Sequence, residues 1–213
     1  MNQDQIKQLN EAVEAVKTRK IENVYFVACG GSKAIFDPAQ FIFDRETTLP
    51  SFVYNANEFI HRCPKGLGEN SLVVTCSHSG NTLETTRATQ LAGDKGALTI
   101  SFSYRVDSPL WKATQHPISY VWGPESDPGD NNNGMLYRLV FSILNVLQPN
   151  EKYERAIKAC DNLGKVYEAN KAKFAESAKA FGKKYKNNKL IYTMSSGPCY
   201  GVAYSFAICL LQE

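Results

Sequence analysis

The run Ser77-His78-Ser79-Gly80-Asn81-Thr82 gathers three hydroxyl side chains around one glycine, just ahead of a helical pattern. Hydroxyl donors, backbone N–H groups without partners and the positive end of a helix together suit a phosphate. Ser79 or Thr82 acting only as a helix cap explains the same run equally well. Cys29-Gly30-Gly31-Ser32 is a second break of this kind. Its glycines either let a ligand approach the backbone, with Ser32 as donor, or make a tight turn. Cys29 ends an apolar run and reads as a packing residue rather than a nucleophile. Glu213 is a carboxylate on a helix otherwise apolar from Val202 to Leu211. A dry site of that kind raises a carboxyl pKa toward that of a general base, although a solvent-facing glutamate has the same spacing. His61, His78 and His116 are scattered, so no metal set and no Ser-His-Asp triad follows from spacing. His78 therefore reads as part of the phosphate turn, not as an acid. Neither a Walker A motif nor G-x-G-x-x-G is present.

Elements alternate around these residues. Ile6, Leu9, Val13 and Val16 recur at helical spacing within residues 3–20. Val24 to Cys29 is a continuous β-branched and aromatic run, as in a strand buried on both faces of a parallel sheet. A helical pattern from Ala34 to about Glu46 follows. Strands are then expected at 51–55, 71–76, 97–102 and 118–122, with helices at 56–62, 83–95 and 108–114 between them. This order predicts a doubly wound α/β sheet with flanking helices, in which ligands sit beyond the carboxyl ends of the strands. Both small-residue loops, 29–33 and 77–82, fall at such ends.

The loop 123–134 is dense in Gly, Pro, Asp and Asn and breaks the pattern. Met135 to Leu147 is apolar enough to be buried against the sheet or a partner subunit. Residues 151–186 are helical and rich in Lys and Glu. Lys189 to Gly197 then repeats the plan of Asn23 to Gly31: apolar strand, small-residue break, helix. The expected organisation is a first α/β domain at 1–150, a helical linker at 151–188 and the first strand and helix of a second unit at 189–213. Because the chain ends inside an apolar helix without a C-cap, it reads as the amino-terminal part of a longer protein.

Composition narrows the classes. The 213 residues carry 24 Lys and Arg against 21 Asp and Glu, a net charge of +3, which is too small for a nucleic-acid face. Apolar residues make up 43%, which excludes disorder. No apolar run approaches the roughly 20 residues of a membrane span, and the first residues lack a signal peptide's order. Six cysteines without regular spacing read as free thiols, mostly buried, and the expected location is the cytoplasm.

The C-G-G-S, S-H-S-G-N-T and S-S-G…Q-E motifs resemble the SIS (sugar isomerase) family of phosphosugar proteins over essentially the whole chain, a flavodoxin-like α/β fold. Within it, FVACGGSKAIFDPAQF, NANEFI and SHSGNTLET look most like fructosamine-6-phosphate deglycases. The resemblance implies a phosphate held by Ser77, His78, Ser79 and Thr82, with sugar contacts from Gly31, Ser32, Ser196 and Gly197. It implies that Glu213 catalyses proton transfer, aligned with the carboxylate of glucosamine-6-phosphate synthase. The lysine found one turn earlier in that synthase is absent here, where Cys209-Leu210-Leu211 stands, which agrees with the deglycase branch. A family histidine would follow Glu213. The implied activity is cleavage of a 6-phosphorylated fructosamine to glucose 6-phosphate and free amine, without metal or redox cofactor. The implied substrate is a small phosphosugar, the assembly a homodimer or larger homo-oligomer, and the 213-residue chain by itself inactive. The alternatives are an aldose–ketose phosphosugar isomerase and a non-catalytic phosphosugar-sensing module.

Overall fold

The structure is a computed structural model, and it describes residues 1–124 and 126–212. Five parallel strands form one sheet: β1 (Asn23–Ala28), β2 (Ser51–Asn55), β3 (Ser71–Cys76), β4 (Leu98–Ser103) and β5 (His116–Ser119), in the order β2-β1-β3-β4-β5. The order reverses between β1 and β3, so a crevice opens there at the carboxyl ends. The loops after these two strands are the 29–33 and 77–82 loops.

Side-chain alternation sorts the core into two layers. Val24, Phe26 and Ala28 of β1 point to one face with Leu72, Val74 and Cys76 of β3. There they meet α1 (Gln3–Lys17), α3 (Phe36–Glu46) and α7 (Asn132–Leu147). Tyr25, Val27 and Val73 point to the other face, against α4 (Ala56–Arg62) and α5 (Leu83–Asp94). The apolar α7 thus belongs to the sheet: Met135, Leu136, Leu139, Val140, Ile143 and Leu144 are all buried within this chain.

Several boundaries differ from the sequence expectation. The helix expected over 34–46 is two, α2 (Gly30–Ala34) and α3, because Pro38 has no N–H to give the Ala34 carbonyl. On α1 the buried face is Gln5, Leu9, Ala12 and Val16, while Ile6 is exposed. The last strand lies at 116–119 rather than 118–122. Its ladder with β4 ends at the Ser103–Ser119 pair, after which the Val121 N–H donates to the Asp130 carbonyl and Tyr120 turns to His78.

Past α7 the chain continues through α8 (Glu151–Ala159), a 3-10 turn at Cys160–Asn162 and α9 (Leu163–Tyr185). The strand expected at the start of a second unit does not form. Residues 190–196 have no ladder partner among the described residues, and a strand exists only by pairing. The helix expected after it does form, as α10 (Tyr200–Phe206) running into a π-helical turn at Ala207–Leu211. No helix among the described residues is long and apolar enough to cross a membrane. All six cysteines are free; Cys76 and Cys160 are buried, whereas Cys199 is exposed, so burial covers fewer of them than expected.

Candidate functional site

Ser77 follows β3 directly, and its N–H donates to the Phe102 carbonyl at the end of β4. Its buried hydroxyl accepts from the Gly80 N–H at 3.1 Å and shares a hydrogen bond with the Thr82 hydroxyl at 2.8 Å. Ser79 Oγ accepts from the Asn81 N–H. The turn closes only because position 80 is glycine. Its φ is +66°, and a Cβ there would stand 2.0 Å from Ser108 Oγ.

Thr82 is the residue preceding α5, yet its side chain makes no capping hydrogen bond. The hydroxyl that would cap is held by Ser77 instead. The first turn of α5 therefore keeps its N–H donors and its positive end uncovered, facing the same turn that carries Ser77, Ser79 and Thr82. Of the two sequence readings of this run, the geometry disfavours simple capping by Thr82.

His78 stands outside this hydroxyl cluster. Its ring stacks on Tyr104 with centroids 5.2 Å apart and 6° between planes, and Trp122 meets it edge-on at 5.2 Å. His78 Nδ1 lies 2.9 Å from the Tyr120 hydroxyl. Burial pushes the Tyr120 pKa upward, so the phenol stays protonated and shares a hydrogen bond with Nδ1. Partial burial and then the neighbouring Arg105 guanidinium hold the His78 pKa below 6.5. At neutral pH His78 is accordingly an uncharged donor. Arg105 supplies the cation beside the turn, and its carbonyl also accepts from the Ser103 hydroxyl. Sequence reasoning missed Arg105, Tyr104, Tyr120 and Trp122. The signal was available, since all four follow the carboxyl ends of β4 and β5, the edge where such sheets place ligands.

The 29–33 break, expected as a loop, is helical from Gly30 onward as α2, at the end of β1 and next to this turn in the sheet. Burial pushes the Cys76 thiol pKa up to about 12, and the nearby Ser32 hydroxyl works against that shift. Gly31 lets the π-helical turn lie close, because a Cβ there would stand 2.9 Å from Cys209 Sγ. Lys33 pairs with Asp37 at 3.9 Å and lies over the Tyr204 ring at 5.5 Å. Burial raises the Asp37 pKa, against the pull of Lys33, and its Oδ2 has no hydrogen-bond partner among the described residues. Ser196 and Gly197 are elsewhere. Gly197 faces the Phe41 ring of α3, at the far end of α10 from Gly31. The structure thus gathers Ser77, Ser79 and Thr82 in one turn and sets His78 beside it. Gly31 and Ser32 lie in the adjoining α2, whereas Ser196 precedes the Gly197–Cys199 turn that packs on Phe41 of α3. Glu213, the expected proton-transfer residue, lies outside the described residues.

The SIS domain family profile matches residues 17–147. The chain is 47% identical over 208 residues to fructosamine deglycase FrlB of Bacillus subtilis, covering 97% of this chain and 63% of that protein. It is 28% identical over 209 residues to a fructoselysine 6-phosphate deglycase of Escherichia coli, covering 94% of this chain and 58% of the relative. The chain therefore spans less than two thirds of the length of these curated relatives. A solved Bacillus subtilis structure, described as a phosphosugar isomerase, superposes with a TM-score of 0.93 at 46% identity over 98% of this chain and 65% of its own. With the family match covering the whole sheet and the turn after β3, the chain belongs to the SIS domain family.

Proposed function

We propose that this chain binds the phosphate of a 6-phosphorylated fructosamine and serves its cleavage to glucose 6-phosphate and a free amine. One observation carries the phosphate assignment: the amino end of α5 is uncapped beneath three hydroxyls, with the Arg105 cation beside it. A phosphate dianion there would accept from the Ser77, Ser79 and Thr82 hydroxyls and the free N–H groups of the first turn. The similarity to two deglycases supports the choice of substrate.

In the proposed reaction Glu213 takes a proton from C1 of the open-chain ketosamine, giving an enaminol. Return of the proton to C2 leaves an imine between C1 and the nitrogen. Water adds at C1, and collapse of the carbinolamine expels the amine and leaves the aldehyde of glucose 6-phosphate. One carboxyl shuttles one proton and one water is consumed, so the chemistry asks for a base and a remote anchor. The aldose–ketose isomerase reading shares the enol step without hydrolysis, and the description of the similar solved structure favours keeping it in view. The proposal includes a homo-oligomer, supported by the exposed apolar side chains Val166, Phe174, Phe181 and Met194. It includes a cytoplasmic location, where six unpaired thiols persist.

Calorimetry with glucose 6-phosphate tests the anchor. Ser79→Ala with Thr82→Ala is expected to weaken binding by roughly 1.5–3 kcal/mol per charge-assisted bond removed. Unchanged affinity overturns the assignment. Amine release from a fructosamine 6-phosphate by the full-length protein separates deglycase from isomerase. Its loss in Glu213→Gln, with phosphate affinity retained, identifies the base and excludes a sensor without chemistry.

A further inference from the structure

His78 is held through its backbone and through its ring. Its carbonyl accepts from the Tyr104 N–H at 3.1 Å, which fastens the turn to the end of β4. The ring lies flat on Tyr104, with Trp122 against it edge-on. The third contact is of another kind. Tyr120 approaches tilted, with centroids 5.9 Å apart, and brings its hydroxyl to 2.9 Å from Nδ1. Tyr120 is itself 3% exposed and packs in the core layer under α1, α3 and α7, and its N–H donates to the Ser103 carbonyl. A buried, tethered phenol thus meets one ring nitrogen of a residue that is exposed.

The acceptors within reach decide which of the two donates. The Tyr120 hydroxyl has one proton to give, and Nδ1 is its only hydrogen-bond partner among the described residues. Were the ring proton on Nδ1, it would point at the phenol oxygen, and the phenol's own proton would be buried without an acceptor. Donation by Tyr120 leaves neither group unpaired. In a neutral imidazole the proton then sits on Nε2, across the ring from the buried phenol. Partial burial and then Arg105 keep the ring neutral, so it has a single N–H and the choice of nitrogen matters. Nε2 makes no hydrogen bond among the described residues, and His78 shares its turn with Ser77 and Ser79.

Resting on the phosphate reading above, we propose that Tyr120 is a positioning residue of the anion site: its hydroxyl fixes the His78 ring with the proton on Nε2, which adds an N–H donor to the hydroxyls of Ser77, Ser79 and Thr82. Tyr120 does not touch the ligand and acts through His78. The neutral ring brings no charge of its own, so what Tyr120 contributes is the choice of nitrogen and the aim of the ring.

Long-range proton–nitrogen correlation spectra of the protein without ligand read the tautomer directly, because protonated and bare ring nitrogens resonate far apart. The His78 signals are identified by their loss in His78→Phe. Nε2 is expected to carry the proton, and a proton on Nδ1 overturns the proposal. In Tyr120→Phe, which keeps the buried ring, the two nitrogens are expected to share the proton. Glucose 6-phosphate affinity, read by calorimetry, should fall about fivefold in that variant. In a His78→Phe background the same substitution should change affinity by less than about twofold, since no nitrogen remains to be positioned. An equal loss in both backgrounds makes Tyr120 a general support of the fold, and an unchanged affinity in Tyr120→Phe leaves Nε2 without a role; either result overturns the proposal. Glucose 6-phosphate that fails to bind, or binds indifferently to Ser79→Ala with Thr82→Ala, overturns the anchor itself, and the role of Tyr120 falls with it whichever nitrogen carries the proton.

Discussion

Residues 1–160 and 163–211 have similar apolar content in places but opposite burial. In the first region Phe26, Phe36, Phe43, Phe59 and Phe102 are all essentially inaccessible. In the second, α9 has no buried residue, and Phe174 is 53% exposed. Tyr192 and Met194 reach 80% and 91%. The sheet supplies two faces on which apolar side chains from sequence-distant helices converge. Residues 163–211 lean on the rims of α2, α3 and the 128–130 turn rather than on a sheet face. Hydrophobicity marks what seeks burial; whether burial happens depends on a second surface being in reach.

The widest test of this contrast is one ring in each region. Phe26→Ala, which removes contacts with Phe36 and Phe43, is expected to cost about 3–5 kcal/mol in denaturant unfolding. Phe174→Ala should stay within about 0.5 kcal/mol. A comparable loss for Phe174 would show that α9 is packed in solution.

Gly80→Ala probes the junction of site and scaffold. The new Cβ meets Ser108 Oγ, which caps α6 (Pro109–Ala113), at a left-handed backbone position. Strain and a displaced cap are expected to cost about 2–4 kcal/mol. Glucose 6-phosphate binding should fall with it, read by melting with and without ligand.

Arg138, inside the first region, fixes the turn at residues 160–162 that leads into the second. It is 4% exposed, its guanidinium donates to Asp161 at 2.6 Å and to the Cys160 carbonyl at 3.1 Å, and Asp130 stands 3.9 Å away. Arg138→Met is expected to destabilise by about 1–3 kcal/mol, with Asp161 mostly in water and contributing the smaller part. The variant should also loosen the 128–130 turn, whose Asp130 stands beside the guanidinium, read as faster amide exchange there.

A smaller effect follows from pH. Burial, then Arg105, lowers the His78 pKa; burial, partly offset by Glu11 and reinforced by Arg19, lowers that of His116. A depressed native pKa means that the unfolded chain binds more protons. This contribution is whole above 6.5 and is lost as pH falls through the native values. The Tm should therefore be lower at about pH 5.5 than at about pH 7.5, with His78→Gln reducing the difference. The least change in stability is expected from Phe174→Lys with Phe181→Lys. Light scattering should nonetheless report a smaller mass than for the unsubstituted chain, and an unchanged mass would place any self-association elsewhere.

Much of the site was legible because its signals are local. Ser77, Ser79, Gly80 and Thr82 lie within six consecutive residues, and a turn between strand and helix needs no distant contact to be recognised. The element boundaries of β2, α4 and β3 were legible for the same reason. Arg105, Tyr120 and Trp122 were legible only as residues at the carboxyl edge of the sheet; their approach to His78 spans separate loops and exists only once β3, β4 and β5 are adjacent. Capping and phosphate binding could not be separated at Thr82 until its hydroxyl was seen to be held by Ser77.

The amino-acid sequence by itself determined the alternation of strands and helices, the parallel sheet and the small-residue turns at its carboxyl edge. Period, propensity and turn chemistry are properties of neighbours along the chain. Tertiary structure alone decided that α7 belongs to this core, that Ile6 faces water and that residues 190–196 stay unpaired. Each of these depends on which surface comes within reach, and a one-dimensional pattern carries no information about the second surface. The meeting of Trp122 and Tyr167 in one cavity is of the same kind: two side chains forty-five positions apart line it together where Asp127 packs against Gly164.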